Sequence, residues 1–127
     1  MKENIIVTNN YISVTLANDK YTIPIGVAEC SMSLDNKNLW YFNRLYVYPK
    51  YRRQGYGSKL LDKLLSLIKE NNHVLQLDIN PYGDMTYEQL EEFYMRHGFV
   101  KVAETNNMMT TYYYNAFIKG ETDENKS

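Results

Sequence analysis

Arg52-Arg53-Gln54-Gly55-Tyr56-Gly57-Ser58 gathers two arginines, two glycines and a hydroxyl residue in one short run. Glycine adopts φ values that other residues resist, so successive N–H groups here can curl into a nest around phosphate oxygens, while the arginines add charge. If a helix begins inside the run, its unpaired amides and the positive end of its dipole face the same point. The chemistry implied is anion binding. The same residues also read as a bare connection with solvated arginines, a frequent fate of an isolated G-x-G.

Two other phosphate motifs do not fit. A P-loop needs a glycine where Arg52 stands and a hydroxyl residue where Leu60 stands, after Gly57-Ser58-Lys59. A dinucleotide fingerprint needs a third glycine at Leu60 and a loop starting directly after the strand, whereas Pro49 to Gln54 intervene; only Asp78, about 20 residues downstream, suits that motif.

The loop needs a strand before it and a helix after it. Leu39 to Tyr48 is aromatic and β-branched and is stopped by Pro49, which predicts a central strand. From Ser58 to Asn71 the period changes, with Leu60, Leu61, Leu64, Leu65 and Ile68 on one side and Lys59, Asp62, Lys63, Lys69 and Glu70 on the other. That is an amphipathic helix. Upstream, Ile5 to Thr8 and Tyr11 to Leu16 read as strands around Asn9-Asn10, and Tyr21 to Met32 as a further extended stretch kinked near Pro24 and Gly26. Asn18 to Lys20 and Asp35 to Asn38 are turns. Downstream, Val74 to Ile79 is a strand and Asn80 to Asp84 a turn. Thr86 with Gln89 forms a capping box for a second helix that Gly98 ends. Phe99 to Glu104 and Met108 to Ile118 predict a closing hairpin around Thr105 to Asn107. This order makes an α/β domain with a mixed, largely antiparallel sheet.

Composition narrows the function classes. The 127 residues suit one domain, expected over 1–118, with 119–127 a polar, frayed tail. A net charge of -1 gives no reason to expect stable binding to nucleic acid or to an acidic membrane surface. Arg44, Lys50, Arg52, Arg53 and Lys59 suit the phosphates of a small ligand better than a nucleic acid. Cys30 is the sole cysteine, so neither an internal disulfide nor a cysteine zinc site is available, and no metal is expected. No signal-peptide pattern or membrane-length apolar run occurs, which points to a cytoplasmic protein.

Leu45-Tyr46-Val47-Tyr48-Pro49 through Gly57-Ser58-Lys59-Leu60-Leu61 resembles the coenzyme-A loop of the GNAT N-acetyltransferase superfamily, whose R/Q-x-x-G-x-G/A pattern is met by Arg52, Gly55 and Gly57. A second segment of that family, Phe-Tyr-x-x-x-Gly-Phe, stands as Phe93-Tyr94-Met95-Arg96-His97-Gly98-Phe99. The resemblance runs from about Leu39 to Phe99. It implies a GNAT-like twisted sheet of about six to seven strands with two main helices, and acetyl-CoA as co-substrate. The strands holding Leu45 and Leu77 would splay so that the pantetheine arm enters between them. Backbone groups of Leu45, Tyr46 and Val47 would meet that arm, amides from Arg53 through Gln54, Gly55, Tyr56 and Gly57 to Ser58 would cradle the pyrophosphate, and Asn80 would lie near the arm.

By the same resemblance Tyr94 is the general acid that protonates the departing thiolate, a transfer a phenol titrating near 10 can make within hydrogen-bond reach. Tyr41 stands where some family members carry a glutamate base, with Asn43 beside it. Asp78, acting through water, and Glu29 on the preceding strand are the candidate bases. His73 and His97 sit near helix ends, where capping or solvation is the commoner role. Tyr87 and Leu90 replace residues usual in the family, Pro81 to Met85 read as an added loop, and Asn9-Asn10 leaves no room for the helices that usually follow the first strand. The acceptor side is therefore expected to be open, bordered by Tyr11, Tyr21, Glu29, Tyr41, Tyr82 and Tyr112 to Tyr114. The implied activity is acetyl transfer to a primary amine of a small molecule, a protein or a modified base, with a homodimer left open. The alternative is a catalytically silent coenzyme-A-binding or protein-interaction domain of the same fold.

Overall fold

The computed structural model describes residues 1–18, 23–81, 83–102 and 110–116. Strand β1 (Lys2–Val7) turns directly into β2 (Tyr11–Ala17), closed by a hydrogen bond from Thr8 N to Tyr11 O of 2.8 Å, so no helix separates them. β3 (Pro24–Met32) and β4 (Leu39–Val47) follow, then helix α1 (Tyr56–Glu70), β5 (Val74–Leu77), α2 (Tyr87–Arg96), β6 (Val100–Val102) and β7 (Thr111–Tyr114). The strands form one open sheet in the order β1-β2-β3-β4-β5-β7-β6. Among the described residues only β4 and β5 pair in parallel, joined through the crossover helix α1. This is the mixed, mostly antiparallel sheet with two helices that the residue pattern predicts.

Alternation along β2 sends Ile12, Val14 and Leu16 into the core, where they meet Ala28, Cys30, Trp40, Leu75 and Leu77. Helix α1 lies over β2, β3, β4 and β5 and contributes Leu60, Leu61, Leu64, Leu65 and Ile68, all of them buried. Each such side chain contributes roughly 1.5–3 kcal/mol by leaving water. Gly26 is hemmed in by strand and helix: a Cβ there would lie 2.6 Å from Tyr46 O and 2.9 Å from Leu60 Cδ1. The register of β2 against β3 also shifts beside it, between Leu16 and Ala17, where the sequence predicts a kink.

The structure departs from expectation in several details, and β5 ends at Leu77 rather than Ile79. α1 begins at Tyr56 rather than Ser58, because Gly55 takes φ 85° and serves as its N-cap. β1 begins at Lys2 rather than Ile5, since the polar residues Lys2, Glu3 and Asn4 still pair with Ala17, Leu16 and Thr15. Tyr112, expected on the acceptor border, is fully buried because its register against Leu77 turns it into the core. The capping box of α2 forms as predicted: Thr86 Oγ1 accepts from Gln89 N at 3.2 Å and Gln89 Oε1 accepts from Thr86 N at 2.9 Å. β6 and β7 pair antiparallel, while the turn at Thr105 to Asn107, the tail at 119–127, Tyr21 and Tyr82 lie outside the described residues. Among the described residues no helix is long and apolar enough to cross a membrane.

Candidate functional site

Parallel pairing between β4 and β5 covers Leu39 with Val74, Trp40 with Leu75 and Tyr41 with Gln76, and then stops, although β4 continues to Val47. The two strands therefore part within the sheet. A β-bulge sits where they separate: Arg44 pairs with Glu29 and Phe42 with Cys30, so Asn43 is an extra residue on β4. An inserted residue reverses the alternation beyond it. Leu45 and Val47 consequently pack against the core on the side that Trp40 and Phe42 occupy, and Arg44 and Tyr46 turn to the other face.

Between the parted strands lies a cleft of about 710 Å³, walled by β4 from Phe42 to Val47, by the loop before α1, by Leu77 to Asn80 and Gly83 to Met85, and by Gln89, Leu90, Phe93 and Tyr94 of α2. All the residues expected at a coenzyme site line it: Leu45, Tyr46, Val47, Arg52, Arg53, Gly55, Tyr56, Gly57, Ser58 and Asn80, with Gln54 the exception. Gln54 instead donates from Nε2 to Lys50 O at 3.4 Å.

The start of α1 differs from that of α2 in a way that matters for an anion. α2 is closed by its own capping box and carries Glu88 in its first turn. α1 has no side-chain cap hydrogen bond and no acidic residue in its first turn. Its terminal amides are therefore not answered by the helix's own side chains, and the dipole there is not offset. Arg53 at φ 64° and Gly55 at φ 85° curl the backbone just ahead of it. The arrangement is suited to an anion. Arg52 has a different task from the one its charge suggests: Nε donates to Val47 O at 2.7 Å, the guanidinium sits 5.4 Å over the Tyr46 ring, and NH1 lies 3.7 Å from Asp84. It braces the loop onto the end of β4.

Tyr94 is held where the two strands open. Its ring meets Phe42, Phe93 and Phe99 edge-on at 5.7, 5.3 and 5.7 Å, and it is 8% exposed, so its position is fixed by packing. Asp78, exposed at the end of β5, is the cleft's carboxylate nearest in sequence to that opening. Glu29, the other candidate base, is one strand further away and does not line the cleft. It accepts from the Tyr11 hydroxyl and from Arg44 Nε, the latter at 3.0 Å. The bond to Glu29 is also the main reason the Tyr11 phenol is raised above its ordinary value. Asn43 donates to Ser31 Oγ at 3.2 Å. Sequence reasoning missed Phe42 and Ile79, which carry no motif and are brought in by the bulge and the parting of the strands, while Arg44, Gln89 and Phe93, singled out as a charge, a capping residue and part of a family segment, were not placed at the site.

Comparison with known proteins gives the same fold. Among proteins of curated function no match to the sequence is found. The chain superposes on a GNAT-family acetyltransferase from Staphylococcus aureus Mu50 with a TM-score of 0.63 at 22% identity, covering 84% of this chain and 68% of that one. For PaiA N-acetyltransferase from Thermoplasma acidophilum, solved with coenzyme A, the values are 0.63 and 20%, over 83% of this chain and 60% of that one. For the ribosomal-protein-S18-alanine N-acetyltransferase of Escherichia coli they are 0.62 and 18%, over 84% and 68%. The acetyltransferase (GNAT) domain family matches residues 9–101, a span that contains the bulged strand, the glycine loop, the parted sheet and Tyr94, and the chain therefore belongs to the GNAT acetyltransferase family.

Proposed function

We propose that the protein is an acetyl-CoA-dependent N-acetyltransferase that moves an acetyl group directly to a primary amine. The observation that carries this reading is the coincidence, in one cleft, of an uncapped helix start, two parted strands and a tyrosine fixed at their divergence. Acetyl-CoA would supply an activated acyl group and a thiolate leaving group. Amides from Arg53 to Ser58 bind the pyrophosphate, and the β4 backbone from Leu45 to Val47 aligns the acyl arm as an added strand would. An N–H of that strand steadies the negative charge developing on the acyl oxygen. Tyr94 delivers its phenolic proton to the departing sulfur. Asp78 receives the amine's proton through water, and Glu29, held by Tyr11 and Arg44, is the alternative base.

The acceptor face is open, since β1 and β2 are joined without helices. That favours an amine presented on something larger than the cleft, such as a protein, with a small molecule or a modified base as the other acceptor classes. The S18-alanine acetyltransferase among the structural relatives lends a protein amine some support. A second reading, a silent coenzyme-A-binding or protein-interaction domain, is favoured by one observation: the strand carboxylate Glu29 is engaged by Tyr11 and Arg44.

A screen of amines against acetyl-CoA, following free thiol and acetylated product, separates the two readings. Amine-dependent thiol release supports the transferase. Acetyl-CoA binding without release for any small, peptide or nucleoside amine would favour the silent domain.

A further inference from the structure

Ser58 lines the cleft, and its hydroxyl lies 3.2 Å from Nε2 of His97, the C-cap of α2. The other ring nitrogen, Nδ1, is 2.7 Å from Asp62 Oδ1, one helical turn beyond Ser58 on α1. The Phe93 ring stands 4.7 Å from the imidazole, and the His97 side chain is 11% exposed. From β7 comes the Tyr114 phenol, raised by burial first and by Asp62's charge second. On α2 itself, Arg96 is paired with Glu92 at 3.7 Å.

A carboxylate only accepts hydrogen bonds, so Nδ1 carries a proton and donates it to Asp62. Two arrangements of the other side follow. In a neutral ring Nε2 is bare and accepts a hydrogen bond from the Ser58 hydroxyl, which leaves Ser58 turning lone pairs towards the cleft. In a charged ring Nε2–H donates to Ser58 Oγ, and the hydroxyl proton is released to bond an anion. The charged ring also adds a positive charge beside the uncapped start of α1.

We propose that Ser58, His97 and Asp62 form a proton-linked clamp, in which an anion held at the loop draws a proton from solvent onto His97 and is gripped by the freed Ser58 hydroxyl. The clamp rests on the reading of this loop as the coenzyme's pyrophosphate site. His97 is a positioning residue that acts through Ser58, and Asp62 fixes which nitrogen faces the serine. No covalent bond to carbon changes; one proton is taken up on binding and returned on release. Histidine is the side chain whose charge ordinarily changes between about pH 5 and 8, which makes it the fitting carrier of such a linkage.

Calorimetric titration of coenzyme A into the full chain, in buffers of differing ionisation enthalpy, counts the protons taken up. The wild type should take up a proton on binding and lose about tenfold in affinity between about pH 6 and 8, beyond any loss in His97→Gln. Ser58→Ala should bind more weakly and show reduced uptake. The coenzyme's own phosphomonoester titrates near pH 6 but is common to all three proteins, so the variants cancel it. Equal uptake in wild type and His97→Gln would overturn the clamp while leaving the coenzyme site standing. No binding at any pH would remove the coenzyme site and the clamp with it. Proton NMR of the two histidines provides a check that needs no variant. His73 is held below its ordinary value by burial, and it is the His97 ring whose titration should move to higher pH on adding coenzyme. An unmoved His97 titration would equally overturn the proposal.

Discussion

Tyr41 on β4 and Gln76 on β5 are the last residues to pair before the two strands part. An unpaired strand edge is ordinarily found at a sheet's border, where it invites another chain. Here the edge is inside the sheet, between the longest strand contacts of the molecule and the short β5-β7-β6 set, and the cleft occupies the gap. The relationship explains why a ligand shaped like an extended strand suits this site, and why the bulge at Asn43 lies beside it.

Replacing Gly55 or Gly57 by valine should weaken acetyl-CoA binding by at least about 1.4 kcal/mol, or tenfold. At Gly55 the backbone has φ 85°, a conformation β-branched residues resist, although open space surrounds the position. At Gly57 an added side chain would meet Val47 and Phe93 on the cleft wall. Circular dichroism should be unchanged for Gly57→Val, and equal affinity in both variants would remove the loop from the site.

Gly26→Ala should destabilise the fold by about 1–3 kcal/mol, because Tyr46 O and Val47 Cα are main chain of the paired strand β4 and cannot withdraw cheaply, and Leu60 Cδ1 is packed in the core. The contact at 2.6 Å is with main chain, not with a flexible side chain. Urea denaturation with an unchanged m-value and a lowered midpoint is the expected result. An unaltered midpoint would contradict the close approach of Gly26 to the β4 main chain and Leu60.

Much of this was legible in the sequence, for identifiable reasons. The leucine period of α1, the Thr86–Gln89 capping box and the glycine loop are local signals, each contained within a few turns of chain. The bulge at Asn43 left no such trace, since no residue type demands it and the shift is defined only against Glu29 and Cys30 on the neighbouring strand. The contact of Ser58 with His97 joins residues 39 apart and depends on how α2 is set against α1. Arg52 read as a charge for phosphate, and its use as a brace on Val47 O needed the geometry of the turn at Pro49–Tyr51. Tyr112 read as a surface aromatic, and only register against Leu77 buries it.

Glu91 offers a pH test of that buried aromatic. Tyr112's hydroxyl donates to it and Lys101 lies 3.4 Å away, and these hold its carboxyl below the usual carboxylate range, Tyr112's bond foremost. A depressed folded value means the contribution to stability is complete above the unfolded value, about 4.3, and is lost as acid carries the pH down through the folded value. The melting-temperature gap between wild type and Glu91→Gln should therefore shrink as pH falls below that value. A gap that stays constant into strong acid would contradict the assignment.

Cys30 is fully buried in the core, and burial first, then the charge of Glu29, pushes its thiol up to about 12. Only the thiolate attacks an alkylating reagent. In mildly alkaline solution the native protein should label at the rate of its own unfolding, and stoichiometrically in denaturant. Rapid labelling of the folded protein would contradict the packing of β3 under α1.

The central claim, acetyl transfer with Tyr94 as the acid, is tested most directly by single-turnover transfer from acetyl-CoA to an active amine, comparing wild type with Tyr94→Phe. The acid role predicts a rate lowered by about a hundredfold or more, the range of general acid catalysis, with coenzyme affinity preserved because only the hydroxyl is lost. Equal rates in the two proteins, or a loss confined to coenzyme affinity, would contradict it.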